Sequence, residues 1–276
     1  MDPTFLIIML LIGLGAGILG SLFGIGGGLF IVPALTLIGG LYIDGGISAK
    51  QAAAISLVSI IATSVGSTVF YLDHKVSNIR LGLLLEISTV IGAVAGAILS
   101  GYLEDWLVMT IFIVVIIASA TRMMLNRKKD IEDDEDGEFT FHDIKTGKDT
   151  RYSLKNKPLG FVTCSAAGII SSLSGVGGGL IKVPVMNMMM GVPMKAATAT
   201  SSYMIGITAF SGAIIYFLGG QVLLDVAAFT TIGTFIGAVI GSRISRVFDG
   251  SSMKRYFSIL LFIIAGLMIL RVGGVL

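Results

Sequence analysis

Long apolar stretches separated by short polar turns run through most of the chain. They lie at about 5–22, 28–43, 47–72, 79–102 and 106–125 and, after a polar interval, at 158–174, 180–193, 196–219, 222–243 and 255–272. A helix rises 1.5 Å per residue, so about 20 apolar residues cross the roughly 30 Å hydrocarbon core of a bilayer. The pattern predicts an all-α polytopic membrane protein with about eight to ten transmembrane helices.

Composition supports this class and places the polar interval. Apolar residues make up 54% of the chain and charged residues only 13%, against about 25% charged in an ordinary soluble domain. Of the 36 charged residues, 17 fall between Arg127 and Lys157. The chain therefore divides into a first transmembrane repeat (1–125), a polar, charged linker (126–157) predicted to be cytoplasmic and mostly disordered, and a second transmembrane repeat (158–276).

A repeated motif relates the two apolar regions. Residues 23–33 read "FGIGGGLFIVP" and residues 174–184 read "SGVGGGLIKVP", with seven identical positions. Weaker matches place 52–59 opposite 198–205 and "GAVAG" at 92–96 opposite "GTFIG" at 233–237. The sequence thus predicts two repeats of about five hydrophobic segments each. The segments that begin at 28 and 180 are short and carry a proline, so we expect glycine-broken half-helices or re-entrant elements there.

Basic residues indicate how the repeats are oriented. With the linker in the cytoplasm, the loop at 75–80 lies inside, as the positive-inside rule favours. Five crossings in the second repeat also place the basic loop at 243–255 inside, whereas four crossings would place it outside. An odd number of crossings per repeat makes the two repeats inverted, with one repeat expected to move against the other during transport.

Paired glycine breaks in inverted repeats predict a binding site at the bilayer midplane. Glycine permits the break, and the freed amides at the start of the next helix attract an anion. Tight helix packing is the alternative explanation of such glycines, and hydrogen bonding to backbone is the alternative for the nearby hydroxyls. The predicted substrate-binding residues are Gly24, Gly26, Gly27, Gly28, Pro33, Ser56, Gly175, Gly177, Gly178, Gly179, Lys182, Pro184, Asn187, Thr200, Ser201, Ser202 and Tyr203.

Three ionisable residues lie within apolar segments. Lys182 stands where the first repeat has Ile31, and a charge at this depth costs about 2.5 kcal/mol or more unless it is compensated. We expect it to balance the charge of a bound anion, with snorkelling to the interface as the alternative. Glu86 and Asp225 are candidates for carrying a coupling ion, a proton or sodium, although Asp225 begins its segment and could simply be interfacial.

No other residue pattern indicates catalysis, a metal or a cofactor. Cys164 is the only cysteine, and the two histidines, His74 and His142, lie in separate loops. The methionines at 186–190 are typical of flexible packing more than of a Cu(I) site. With a net charge of +2 the chain has no nucleic-acid footprint. We therefore expect a non-enzyme whose partners are a small anionic substrate and the lipid bilayer; oligomeric state does not follow from the pattern.

The motifs "GIGGGLFIVPAL" and "GVGGGLIKVPVM", each followed by an Ala/Ser/Thr-rich helix, carry a family resemblance. Apart from the linker, nearly the whole chain resembles the TauE/SafE family of sulfite and organosulfonate exporters. The resemblance implies a multi-pass protein of the cell membrane that exports small sulfur-containing anions, such as sulfite, sulfoacetate or related sulfonates, driven by an ion gradient. An uncoupled anion channel or facilitator, or a carrier of another small anion, is the alternative.

Overall fold

The computed structural model describes residues 2–43, 45–125, 137–248 and 250–272 and is almost entirely helical. The first repeat contains α1 (Pro3–Phe23), α2 (Gly28–Tyr42), α3 (Ala49–Asp73), α4 (Ile79–Ser100) and α5 (Asp105–Leu125). The second contains α6 (Lys157–Ser174), α7 (Gly179–Pro184), α8 (Met194–Leu218), α9 (Leu224–Ile244) and α10 (Gly250–Val272). The prediction of an all-α membrane protein is confirmed: within the described residues, five helices are long and apolar enough to cross a bilayer.

Local sequence signals set the helix ends. Ser48 and Gln51 form a reciprocal capping box at the start of α3, which satisfies two otherwise free amides. The Asn78 side chain accepts from the Leu81 amide and caps α4. Gly24 ends α1 in the left-handed conformation, with φ 69°. Capping residues and glycine thus divide the apolar stretches where the sequence places polar turns.

The two proline-bearing segments are short helices, as expected. α2 has 15 residues, which is about 22 Å and less than a bilayer core. α7 has only 6 residues and continues as a π-helical turn, Val185–Met189, whose Met190 amide donates to Val185 O at 3.1 Å. Pro184 stands at this change of helix type, where its missing N–H removes one α-helical hydrogen bond.

Helices of the two repeats interlock through glycine faces. α1 packs along α9 and α4 along α6, and these are the two most extensive helix contacts. A Cβ added at Gly17 would lie 2.2 Å from Thr234 O, and one added at Gly168 would lie 2.1 Å from Thr89 O. The backbones therefore touch directly, as in small-residue helix packing in membranes.

Matched hydrogen bonds establish how the repeats correspond. The Tyr71 hydroxyl donates to Ser21 O at 2.9 Å, and the Tyr216 hydroxyl donates to Ser172 O at 2.9 Å. In the same way Ala53 packs on Gly175 and Thr198 packs on Gly24. The equivalent of Thr198 is therefore Ala53, so the alignment of 52–59 with 198–205 was wrong by one residue.

The glycine pattern of α4 and α9 was aligned wrongly by one helical turn. A Cβ added at Gly92 would lie 2.1 Å from Ser165 O, and one added at Gly237 would lie 2.1 Å from Leu14 O. Leu14 and Ser165 are equivalent in the register of the glycine motif, so Gly92 corresponds to Gly237 and not to Gly233. Because glycines recur at every fourth position along α9, sequence matching could not choose the correct turn.

The relative directions of equivalent helices follow from individual contacts. A Cβ added at Gly212 would lie 3.2 Å from Leu57, and Ser64 Oγ donates to Ser202 O at 2.7 Å. α3 and α8 therefore run antiparallel. Val76 and Arg246 line one small pocket, so the two basic loops lie on the same face of the molecule.

The second part of the linker is ordered, which contradicts the prediction that the linker is mostly disordered. Strands β1 (Phe139–Asp143) and β2 (Lys148–Tyr152) form an antiparallel hairpin. Phe141 and Tyr152 are buried in a cluster at the helix ends. A two-stranded hairpin is marginal alone, but the membrane domain supplies the surface that covers it. Residues 126–136 lie outside the described residues.

Tyr152 fixes the hairpin to the membrane domain. Its side chain is 0% exposed, and its hydroxyl accepts a hydrogen bond from Asn78 Nδ2 at 2.8 Å. Burial raises the pKa of the Tyr152 hydroxyl, and the hydrogen bond with Asn78 partly offsets this rise. The neutral hydroxyl is therefore the form that the folded hairpin favours. We call the side of the molecule that carries the hairpin the linker face.

Candidate functional site

The two glycine motifs form matching backbone breaks. The break before α2 and the break before α7 each hold three glycines in the left-handed region, with φ between 69° and 83°: Gly24, Gly26, Gly27, Gly175, Gly177 and Gly178. Side chains other than glycine are strained in this region. The motif therefore encodes a particular backbone path and is not only a packing surface.

The breaks meet in the interior. A Cβ added at Gly28 would lie 2.3 Å from Gly175 O, and one added at Gly179 would lie 2.2 Å from Gly24 O. The starts of α2 and α7 thus lie against the opposite break, as the midplane hypothesis requires. The packing explanation also holds, because these glycines permit direct backbone contact between the repeats.

Two predicted serines close the breaks. Ser56 Oγ donates to Gly175 O at 2.6 Å, and Ser201 Oγ donates to Gly24 O at 2.6 Å. The bonds are equivalent and cross from one repeat to the other. In this conformation both hydroxyl donors are used by backbone, which was the alternative weighed for them.

Lys182 and Glu86, predicted separately, form an ion pair. Lys182 is 0% exposed, so the snorkelling alternative is wrong. Lys182 Nζ lies 3.1 Å from Glu86 Oε2 and donates to Thr208 Oγ1 at 2.5 Å. The Thr208 hydroxyl donates in turn to Glu86 Oε1. We call these three residues the Lys182 triad; they join α7, α4 and α8 and form a neutral, hydrogen-bonded centre.

Thr208 was missed by the sequence reasoning. It lies seven residues after Ser201 on α8, and residues seven apart share one face of a helix. Starting from Ser201, which contacts the first break, this spacing could have identified it. Because Ser and Thr in membrane helices mostly hydrogen-bond to backbone or to neighbouring helices, a single threonine in α8 did not indicate a site.

The first break has no equivalent of the triad. Lys182 and Thr208 of the second repeat correspond to Ile31 and Thr63 of the first, and Glu86 of the first repeat corresponds to Thr231 of the second. Thr63 Oγ1 donates to Ser59 O at 3.1 Å within its own helix. The two breaks therefore share their backbone, but the second alone carries ionisable groups.

An unused donor lies beside the second break. A Cβ added at Gly178 would lie 3.3 Å from Ser171 Cβ and 3.3 Å from Lys182 Cε. Ser171 is buried, and its hydroxyl has no partner among the residues that the structure describes. The same holds for the hydroxyl of Ser202. A buried unpaired hydroxyl beside a lysine is a ready hydrogen-bond donor for an anion.

Other predicted residues support the surrounding structure. Thr200 Oγ1 accepts the Asn78 amide at 2.9 Å, and Asn187 Nδ2 donates to Val192 O at 2.8 Å. Tyr203 is partly buried and packs on Gly82. The two remaining predicted residues, the helix prolines, are buried in the short helices: Pro33 and Pro184.

Asp225 lies apart from the breaks. It is exposed in the first turn of α9, where a carboxylate interacts favourably with the helix dipole. The other end of α9 carries Arg243 and leads to the linker face. The structure therefore brings Glu86, and not Asp225, to the interior centre.

Long apolar helices around a buried polar centre define an integral membrane protein. The family model described as "Sulfite exporter TauE/SafE" matches residues 9–268. The chain belongs to this family, and the resemblance read from the glycine motifs is confirmed.

Individual relatives agree. The chain is 29% identical to a probable membrane transporter protein of Bacillus subtilis, with 94% of this chain and 95% of that protein covered. It is 27% identical to a probable membrane transporter protein of Methanocaldococcus jannaschii, with 95% of both covered. A TauE/SafE family protein of Arabidopsis thaliana, named a sulfite exporter, is 34% identical over 31% of this chain and 20% of its own. No solved structure matches the chain.

Proposed function

We propose that the protein is a secondary active transporter of the cell membrane that exports small sulfur-containing anions. The anion binds beside Lys182 at the meeting point of the two breaks, and Glu86 carries the coupling proton. The observation that carries the proposal is the fully buried Lys182–Glu86 pair, 3.1 Å apart. The substrate class rests on the names of the family and of the Arabidopsis relative.

The second break offers the donors that an oxyanion requires. The first amides of a helix have no acceptor within it and carry its positive dipole end. The helical segment from Gly179 to Met189 and the longer α2 both begin at the breaks. The Lys182 ammonium and the unpaired Ser171 hydroxyl lie beside the same glycines. Together they form a positively polarised, water-poor site for a small anion.

Charge balance links the anion to a proton. Lys182 and Glu86 together are neutral, so an anion added beside them would leave a net buried negative charge, which is costly. Protonation of Glu86 restores neutrality and frees the ammonium to bind the anion. A sodium ion at this place would be repelled by Lys182, so the site favours a proton. Anion and proton therefore bind together and move in the same direction.

The direction of net movement then follows from the gradients. Export proceeds when the ratio of internal to external anion exceeds the ratio of external to internal protons. With a more acidic exterior, export therefore stops while an internal excess of sulfite remains, at the point where the two gradients balance.

We infer that the two repeats are inverted and that transport moves pairs of helices. Antiparallel α3 and α8 and the shared face of the two basic loops support the inversion. The touching backbones of α1 with α9 and of α4 with α6 make each pair the natural rigid unit. Relative movement of the pairs breaks and reforms the bonds of Ser56 and Ser201 across the breaks.

Transport in proteoliposomes tests coupling. In vesicles with an alkaline interior and a more acidic exterior, sulfite should accumulate inside to a concentration above that outside. Glu86→Gln should abolish this accumulation while retaining exchange of labelled for unlabelled sulfite. Asp225→Asn, a matched loss of one carboxylate, should accumulate sulfite normally.

Three outcomes would contradict the proposal. Equilibration of sulfite by the wild-type protein without accumulation would indicate an uncoupled channel or facilitator. Accumulation of sulfite by the Glu86→Gln variant would show that Glu86 does not carry the coupling proton. Normal transport kinetics in a folded Lys182→Ala variant would show that the anion does not bind beside Lys182.

A further inference from the structure

The hairpin brings a carboxylate onto a lysine at the linker face. Asp143 Oδ1 lies 2.6 Å from Lys195 Nζ, and the two side chains are only 18% and 12% exposed. Lys195 is in the first turn of α8, and the cap residue Pro193 makes no side-chain hydrogen bond there. A helix N-terminus disfavours a cation and favours an anion. An anion beside Lys195 therefore stabilises this helix end, and in the structure the Asp143 carboxylate provides that negative charge.

A small pocket lies below this contact. Its volume is about 20 Å³, which is the space of a single water molecule. Its polar lining consists of Tyr71, His142, Lys195, Thr198, Ser245 and Arg246. Arg246 is exposed; it forms no ion pair within the described residues, although it lines a second cavity together with Arg243 and Asp73. Two cations and several hydroxyls thus surround a space that the hairpin closes.

The pocket adjoins the first glycine break. Thr198 is 1% exposed and lines the pocket. On its other side, a Cβ added at Gly24 would lie 2.9 Å from Thr198 Cα. One residue therefore separates the pocket at the linker face from the interior breaks. An anion that reached Lys195 would lie near the first break, whose Gly24 contacts the start of α7.

The hairpin is held unequally along its length. The Tyr152 end is fully buried and hydrogen-bonded to Asn78. The turn end is held by the Asp143–Lys195 pair, by the bond from the His142 amide to Lys75 O at 3.1 Å, and by the partly buried Ile144. Tyr152 is therefore the firmer anchor, and the turn end depends on the Asp143–Lys195 pair and its two neighbouring contacts.

We propose that Lys195 and Arg246 form a second anion site at the mouth of the pathway, and that Asp143 occupies it as a built-in carboxylate which a small oxyanion displaces. The role of the site as an entrance rests on the proposed transport function. Exchange of one carboxylate for one oxyanion leaves the charge beside Lys195 unchanged, while Asp143 moves into water. Since the Asp143 carboxylate lies 2.6 Å from Lys195 Nζ, displacement moves this carboxylate away and, in the proposal, lifts the turn end.

Labelling of a buried position tests the lid without any transport. In a Cys164→Ser background, Thr198→Cys is reached by a membrane-impermeant thiol reagent only when the hairpin lifts. Asp143→Asn should raise the labelling rate about tenfold. Asp149→Asn is the control for the charge change, because Asp149 lies in the same hairpin, is 75% exposed and pairs with His142 and not with Lys195. Equal labelling rates in the two variants would overturn the lid.

Sulfite transport tests the anion site. Removal of the competing carboxylate in Asp143→Asn should lower the half-saturating sulfite concentration on the linker face several-fold. Lys195→Gln should raise it at least tenfold, with little change on the opposite face. If Lys195→Gln leaves this concentration unchanged, the anion site is refuted. If the wild-type protein moves no sulfite but Asp143→Asn still opens the lid, the substrate assignment fails and the lid stands.

A reversible lock provides an independent test. Lys75→Cys and His142→Cys place thiols on backbones that are already hydrogen-bonded, a proximity that suits a disulfide. Oxidation should stop sulfite transport and shield Thr198→Cys, and reduction should restore both in the same preparation. Undiminished transport by the fully oxidised protein would overturn the proposal. Each single-cysteine variant serves as the control for oxidation itself.

Discussion

The two glycine breaks have the same backbone and different chemistry. Each has three glycines at positive φ, and each has one serine that donates to a carbonyl of the other break at 2.6 Å. Only the second is flanked by a lysine and a glutamate, whereas the first has Ile31 at the lysine position. The comparison teaches that the shared features build the crossing of the two repeats, and that the unshared ones carry the proposed anion and proton.

The largest expected difference between the breaks comes from their central residue. Lys182→Met should destabilise the protein by about 3–5 kcal/mol, because Glu86 is left buried without its partner. The equivalent change in the other repeat, Ile31→Met, should cost less than about 1.5 kcal/mol. Unfolding in detergent, followed by intrinsic fluorescence, measures both. Addition of Glu86→Gln to Lys182→Met should recover much of the loss, and failure to recover it would contradict the pairing.

The shared backbone should respond equally in both repeats. Gly28→Ala and Gly179→Ala place a Cβ at 2.3 Å and 2.2 Å from a carbonyl oxygen, and each should cost about 3 kcal/mol or more. Gly40→Ala, in α2 with open space around it, should stabilise by up to about 1 kcal/mol. Thermal unfolding of the three variants measures this. A large difference between the two break variants would contradict their equivalence.

Hydroxyls at equivalent positions should differ again. Thr208→Val removes hydrogen bonds to a charged pair and should cost about 1.5–3 kcal/mol. Thr63→Val removes only a bond to the preceding turn of its own helix and should change stability by less than about 0.5 kcal/mol. The same unfolding assay applies. Proton-driven sulfite accumulation should weaken in Thr208→Val alone.

The smallest effects should come from the two serines. Ser56→Ala and Ser201→Ala each remove one bond to a backbone carbonyl, so each should cost about 1 kcal/mol. Their effects should agree within about 0.5 kcal/mol and should add in the double variant if the two bonds are independent. Strong coupling between them would indicate that the breaks open as one unit.

Helix positions were predictable from sequence because apolar length alone determines them in a membrane protein. The glycine breaks were predictable too, since backbone conformations at positive φ leave a compositional trace. Lys182 was recognisable by its cost in lipid. In each case the cause acts locally along the chain.

Pairing across the chain was not predictable in the same way. Glu86 and Lys182 are 96 residues apart, and nothing in either segment specifies the packing of α4 beside α7. The regular glycines of α9 fit more than one register. The hairpin was misjudged because its apolar residues are few, and the surface that buries them belongs to the membrane helices.

The contact between α1 and α9 also bears on how the protein is made. α1 leaves the ribosome about 200 residues before α9, the helix that its glycine face fits. During insertion this face stays without its partner while some 200 residues follow, at about 5–20 residues per second. α1 therefore waits for about 10–40 seconds before α9 is made and completes this contact.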